Sequence, residues 1–262
     1  MNKNMRLVLG LVAIALVVAF VGTVRADSLI INNGSFESPA LDPGGSADIT
    51  GEFNKGGWVQ EYGGGTPSAW RPPTGAFPGS PDSLPSPADG SQCLSGMTDE
   101  IAVVQLLSYS NPVLGRIQPD TAYTLTVAVG APTINPDGSP GQFQGVTIGL
   151  ADNDAGAAIG GVGIDNLFQI NPSWTKQTTG VWFDLSYTLS ADDVNALLAD
   201  PDDTGVYAGD AMALFIDCGG VGTVVDNIRM TATSAAVPEP STFVLLASGL
   251  VGLLAYAWRK RK

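Results

Sequence analysis

The sequence predicts an all-β fold, a β-sandwich with one short helix, framed by an N-terminal signal helix and a C-terminal transmembrane helix. Three observations predict it. Apolar and polar residues alternate at period two in several segments. Gly, Pro, Asn and Asp separate those segments at short intervals. Two charge-free apolar runs stand at the ends of the 262-residue chain.

The first run, Leu7 to Val21, follows Lys3 and Arg6 and precedes Val24-Arg25-Ala26. A basic start, an apolar stretch and small residues at the cleavage positions make residues 1–26 a secretory signal peptide, with Asp27 as the mature N-terminus. The body, residues 27–235, then opens on a strand at Leu29–Asn32. Gly63 to Gly90 is rich in Pro, Gly and Ser and reads as a long surface loop. Ile101–Leu107 reads as a strand, followed by Tyr123, Leu125, Val127 and Val129 alternating with Thr124, Thr126 and Ala128. A second loop covers Ala131–Gly141, and Gln144–Leu150 is the next strand. Val181, Phe183, Leu185, Tyr187 and Leu189 then alternate with Trp182, Asp184, Ser186 and Thr188. The helix follows: Ser190 caps it, Asp192 and Asp193 lie in its first turn, and Leu189 with Val194 forms a hydrophobic staple. Val194, Leu197 and Leu198 supply its buried stripe, and Pro201 follows its end. Ala211–Cys218 and Thr223–Thr231 complete the strands. So many short strands with turn signals between them make a sandwich.

Composition narrows the function. Residues 27–240 carry five cations and 25 acids, a net charge of −20. That excludes electrostatic nucleic-acid binding and suits a soluble exported surface, a cation-rich matrix or calcium sites. The chain has no histidine. Ser/His/Asp and Cys/His nucleophilic catalysis, and zinc sites built on histidine, are therefore excluded. Cys93 and Cys218 are the only cysteines. In an oxidising compartment a disulfide between them is the expected reading, with two buried thiols as the alternative. A bridge would close a loop of over a hundred residues, worth roughly 4–5 kcal/mol in the chain-entropy picture.

The C-terminal segment, residues 236–262, is a three-part tail: Val237-Pro238-Glu239-Pro240-Ser241, an apolar helix over 242–258, and Arg259-Lys260-Arg261-Lys262. From Ser241 to Trp258 such a helix spans roughly 27 Å, enough for a thin hydrocarbon core. Tyr256 and Trp258 stand at headgroup depth, and the basic end places the tail terminus in the cytoplasm and the body outside. Pro238 and Pro240 keep the approach extended, which suits a protease cleft. Pro238, Glu239 and Pro240, with the span and basic end, resemble the PEP-CTERM sorting signal of exported Gram-negative proteins. That resemblance implies an exosortase as processing partner, an inner-membrane-anchored precursor, and a final place on the cell surface or in the extracellular matrix. A plain single-span anchor is the alternative.

In the body, Asn33-Gly34-Ser35-Phe36-Glu37 opens the domain, followed by Gly57-Trp58, Asp89-Gly90-Ser91-Gln92, Gln105, Leu114-Gly115-Arg116 and Val225-Asp226-Asn227-Ile228-Arg229-Met230. In this order they resemble the galactose-binding-like jelly-roll domains of carbohydrate-binding modules, which makes the sandwich a jelly roll. The resemblance implies that Glu37 and Asp226 hold a structural calcium with backbone carbonyls. The residues agree in part: Asp226 shares a parity with Val224, Ile228 and Met230, an apolar face where a carboxylate needs a cation or donors. Hydrogen bonding at a strand end would serve Asp226 equally well. For sugar stacking, Trp182 is the candidate, because its parity sets it opposite the core. The expected function is a non-catalytic, exosortase-sorted surface protein associated with exopolysaccharide. A purely structural envelope protein is the alternative, and a paired-carboxylate glycosidase a more distant one.

Overall fold

The computed structural model describes residues 25–43, 45–50, 57–62, 66–73, 76–77, 90–96, 101–135, 138–153, 165–170, 179–201, 206–220, 222–234 and short pieces of the tail between 249 and 260. The expected signal run, Pro238, Glu239, Pro240 and most of the expected span lie outside these residues. Among the described residues no helix is long and apolar enough to cross a membrane. Residues Asp27–Ala232 form one compact unit.

Twelve strands and two helices are described: β1 (Arg25–Leu29), β2 (Ser46–Asp48), β3 (Trp58–Tyr62), β4 (Pro67–Trp70), β5 (Cys93–Gly96), β6 (Ile101–Leu106), α1 (Leu107–Ser110), β7 (Thr121–Ala131), β8 (Val146–Asn153), β9 (Asp165–Ile170), β10 (Val181–Leu189), α2 (Ala191–Ala199), β11 (Ala211–Cys218) and β12 (Val224–Ser234). The first sheet runs β10-β7-β12-β5-β4-β2, with β1 also on β12; the second runs β3-β6-β11-β8-β9. The two sheets make the jelly-roll sandwich.

Period two decides which side chains meet. β10 pairs antiparallel with β7 from Val181↔Ala131 to Leu189↔Tyr123. Tyr123, Leu125, Val127 and Val129 turn inward with Leu185 and Leu189, and meet Ile148, Leu150, Met212, Leu214 and Ile216 of the second sheet. Burying each such side chain stabilises by about 1.5–3 kcal/mol. The expected helix forms as α2. The Ser190 hydroxyl accepts the Asp193 N–H at 3.1 Å, and the Asp193 carboxylate accepts the Ser190 N–H at 3.1 Å, a reciprocal capping box. Those bonds to Ser190 hold the Asp193 carboxyl below its ordinary pKa.

Two expectations about boundaries are corrected. The opening strand is β1, ending at Leu29; residues after Ile31 turn instead, with Asn33 and Phe36 at φ 49° and 55°. The long loop from Gly63 is interrupted by β4, whose Pro67–Trp70 pairs antiparallel with β5 and with β2. β4 has too little alternation to read as a strand, because all four of its residues are buried.

Candidate functional site

The segment from Ile30 to Leu41 is tied down largely by side chains. Asn111 accepts the Ile30 N–H at 2.7 Å and donates to the Ile30 carbonyl at 2.8 Å. Gln105 does the same for Asn32, at 3.0 and 2.8 Å, and Trp58 adds an indole N–H to the Asn32 carbonyl. Gln92 donates to the Phe36 and Pro39 carbonyls and accepts from Leu41 N–H. These amides are buried, and each satisfies backbone groups that would otherwise be costly.

Glu37 reaches in the opposite direction. Its Oε1 accepts the N–H groups of Ser91 and Gln92 at 2.6 and 2.7 Å, and Oε2 accepts the Ser91 hydroxyl at 3.1 Å. Gly90, at φ 72°, makes room: a Cβ there would lie 2.4 Å from Glu37 Oε1. Asp226 is fully buried, and its Oδ1 accepts the Asn227 N–H at 2.7 Å. The two ends of the body meet here, with Gly34 C=O accepting the Ile228 N–H at 3.1 Å. Asn33, Phe36 and Asn227 all hold φ near +50° at this junction. For a bulky residue such as Phe36 that conformation is strained, and it persists because the surrounding contacts fix it.

Burial pushes the Cys93 thiol well above its ordinary pKa, and the charges of Asp226, Cys218 and Glu37 push it further. Glu37 and Asp226 both bear on the Cys93 thiol. Two carboxylates with nearby backbone carbonyls are a donor set that suits a hard cation such as calcium. Among the described residues no three acid, cysteine or histidine side chains converge as metal ligands, so carbonyls would have to supply the rest. The face expected for Asp226 is corrected. Val224 packs in the outer cluster, while Val225, Ile228 and Met230 pack in the main core. The left-handed Asn227 breaks the alternation, so Asp226 falls on the side of Val224 rather than of Ile228.

Cys93 and Cys218 are both free and buried, which corrects the expected bridge. Alternation explains it. Leu94 and Cys218 belong to the main core, whereas Cys93 turns to the outer face of the first sheet beside Trp70 and Val224. Trp182 is corrected in the same way. Its parity does set it opposite the main core, but there it is wholly buried under Phe77, with ring centroids 4.7 Å apart, beside Ala76 and Ala128. It has no free ring face for a sugar.

Two features went unread in the sequence. On the exposed part of the first sheet's outer face, Thr124 pairs with Thr188 at 2.8 Å and Thr126 with Ser186 at 2.9 Å, beside the Arg229–Asp184 ion pair at 2.8 Å. Alternation in β7 and β10 predicted that these residues face outward, but not that they would pair as hydroxyls. On the outer face of the second sheet, Ala102, Val104 and Phe215 form a third apolar cluster with Val59. Asp217 shares that face two residues after Phe215, opposite Ala102 and Thr147. Its charge and, above all, burial raise the pKa of the neighbouring Cys218 thiol. Parity within Leu214-Phe215-Ile216-Asp217-Cys218 was the available signal.

Residues 236–262 match the PEP-CTERM protein-sorting motif, as the tail's three parts led us to expect. The chain is similar in structure to the C-terminal CBM6 of a laminarinase from Zobellia galactanivorans, at 13% identity over 56% of this chain and 82% of that one, TM-score 0.28. It is similar to CBM27-1 of Caldicellulosiruptor saccharolyticus, solved with mannohexaose, at 11% identity over 83% and 99%, TM-score 0.31. It is similar also to the K1 cleaved adhesin domain of Lys-gingipain from Porphyromonas gingivalis W83, at 11% identity over 82% and 99%, TM-score 0.33. No curated protein matches the chain. Residues 27–231 match the HpiC1-like family, described as HpiC1 cyclase, and the chain belongs to that family.

Proposed function

We propose that this protein is exported, anchored in the inner membrane by residues 242–258, processed by an exosortase at Pro238–Ser241, and left at the cell surface or in the matrix as a non-catalytic partner of exopolysaccharide. The sorting motif at 236–262 carries the reading. The acidic body, residues 27–235, suits an exported surface. With Trp182 buried, the glycan contact falls to the paired hydroxyls of Thr124, Thr126, Ser186 and Thr188 and the Arg229–Asp184 pair, which offer donors and acceptors on one exposed face. Intact mass of the surface form tests the sorting: a chain from Asp27 to the Pro-Glu-Pro region is expected. Retention of Arg259 to Lys262 would leave a plain anchor. Affinity chromatography on the host's own exopolysaccharide tests the partner. Thr126→Val with Arg229→Ala should weaken retention, and an unretained wild-type protein would leave a purely structural envelope role.

One observation favours a second reading. Asp217 places a carboxyl group on an apolar face with Ala102, Val104 and Phe215. The family is named for a cyclase, and in a chain without histidine a carboxyl group is the natural proton donor for ring closure in an apolar, unsaturated substrate. Asp217→Asn should then abolish turnover of such a substrate while export and folding persist. Undiminished turnover would remove Asp217 from the chemistry.

A further inference from the structure

The structure gathers large apolar side chains at one end of the sandwich. Ile30, Tyr109, Val113 and Tyr207 are 61%, 55%, 65% and 51% exposed. They sit on one connected stretch of surface. Asn111, between Tyr109 and Val113, holds both backbone groups of Ile30. Gly115 N–H returns to the Asn111 carbonyl at 2.8 Å. Arg116 donates to the Gly209 carbonyl at 2.8 Å, and Ile117 N–H to the Asp210 carbonyl at 2.9 Å, which brings in the Tyr207 turn. Ile134, also more than half exposed, lies just beyond the far end of β7.

β12, the last described strand, ends at Ser234. β5 takes up Val224 and Val225 of β12, and Gly34 bonds Ile228. β1, which also pairs with β12, therefore lies beside the last half of that strand, and Ile30 directly follows β1. Only residues 235–241 separate Ser234, the last residue of β12, from the start of the expected span at Thr242. Seven residues reach roughly 25 Å when fully extended. The charge agrees. Residues 27–240 carry a net charge of −20, yet the stretch from Ile101 to Pro119 has no acid and one cation, Arg116. The one acid of the Tyr207 turn, Asp210, has its carboxylate bonded to the Tyr207 N–H.

We infer that Ile30, Tyr109, Val113 and Tyr207 form a membrane-resting face, which the short tether holds against the lipid of the inner membrane until the tail is cut. This rests on the anchored-precursor reading above. The occupant is lipid: the tyrosines combine an apolar ring with a polar tip suited to headgroup depth, Arg116 suits lipid phosphate, and no acid lies on α1 or the turn after it to repel an anionic surface. The face leaves the membrane when the exosortase releases the body.

The test uses the full chain reconstituted in vesicles of phosphatidylethanolamine and phosphatidylglycerol. A nitroxide is placed on Val113→Cys, on Thr188→Cys as an outward-facing reference, and on Leu250→Cys within the expected span. The native Cys93 and Cys218 are buried and stay unlabelled. The Val113 label should collide more with oxygen and less with a nickel chelate than the Thr188 label. Equal accessibility at Val113 and Thr188, with the Leu250 label in lipid, would overturn this inference and leave the anchor standing. A nickel-accessible Leu250 label would overturn the anchor itself, and the inference with it. Dipolar broadening between Val113 labels on two copies would make a second copy of the chain the occupant, and would also overturn it.

Discussion

The Phe77 ring lies on Trp182 with 4.7 Å between centroids and 34° between planes. It converts what would be an outward-facing indole into the centre of a second apolar cluster, with Trp70, Ala76, Cys93, Ala128 and Val224. Phe77→Ala should cost about 3 kcal/mol, the usual loss for a buried phenylalanine. Tryptophan emission should shift to the red as Trp182 becomes wet. A denaturant midpoint and emission maximum unchanged from wild type would show that the cover contributes little.

The buried thiols give the protein a pH dependence on the alkaline side. Burial raises the pKa of both Cys93 and Cys218. In the unfolded chain they ionise near the ordinary value of about 8.5. Above that pH the unfolded state binds fewer protons than the folded one, so stability falls as pH rises. The stabilisation is fully present below about pH 8.5, and each thiol removes about 1.4 kcal/mol per pH unit above it. Urea midpoints at pH 7 and pH 9.5 should therefore differ in wild type, and differ less in Cys218→Ala. Alkylation should label neither cysteine in the folded protein and both after unfolding without reductant. No label after unfolding would mean that the two had bridged.

These two cases show what the sequence could and could not say. Alternation placed Trp182 opposite the core correctly, because a strand's geometry fixes its faces locally. What covers that face comes from Ala76 and Phe77, about a hundred residues earlier, inside a stretch that reads only as proline- and glycine-rich loop. β4 was hidden in the same stretch, since a strand buried on both faces has no alternation to show. Asp226 was misplaced for a different reason: one left-handed residue, Asn227, resets the parity of everything after it. The junction of Glu37 with the Ser91 turn was not legible, because no local pattern joins residues 54 positions apart. The Ser190 cap of α2 needed no partner element and read correctly, though the return bond from Asp193 was not read.

That capping box gives a clean local test. Ser190→Ala removes the hydroxyl that accepts the Asp193 N–H and leaves the Asp193 carboxylate without one of its two donors. The expected loss is about 1 kcal/mol, with thermal unfolding as the readout. Ser190→Asp should recover most of it. A Ser190→Ala protein as stable as wild type would mean that α2 is held by Val194 and its packing alone.

The remaining prediction concerns the junction where the body begins and ends. Glu37 binds the Ser91 turn, Asp226 is buried nearby, and both charges bear on Cys93. Backbone strain at Asn33, Phe36 and Asn227 surrounds them. Strain of this kind persists where many contacts or a bound ligand fix the backbone, and two carboxylates with turn carbonyls are oxygen donors of the kind calcium takes. We therefore expect calcium to bind the folded state only, which would stabilise it by about 2.7 kcal/mol at a hundredfold excess over Kd. Adding calcium should raise the melting temperature and a chelator should lower it. Asp226→Asn should abolish that difference. Glu37→Gln has a separable effect: it weakens the charge-assisted bonds to Ser91 and Gln92, so it should destabilise the protein by about 2 kcal/mol even in chelator. A wild-type melting curve indifferent to calcium, with Glu37→Gln still destabilised, would mean that the junction is closed by hydrogen bonds alone.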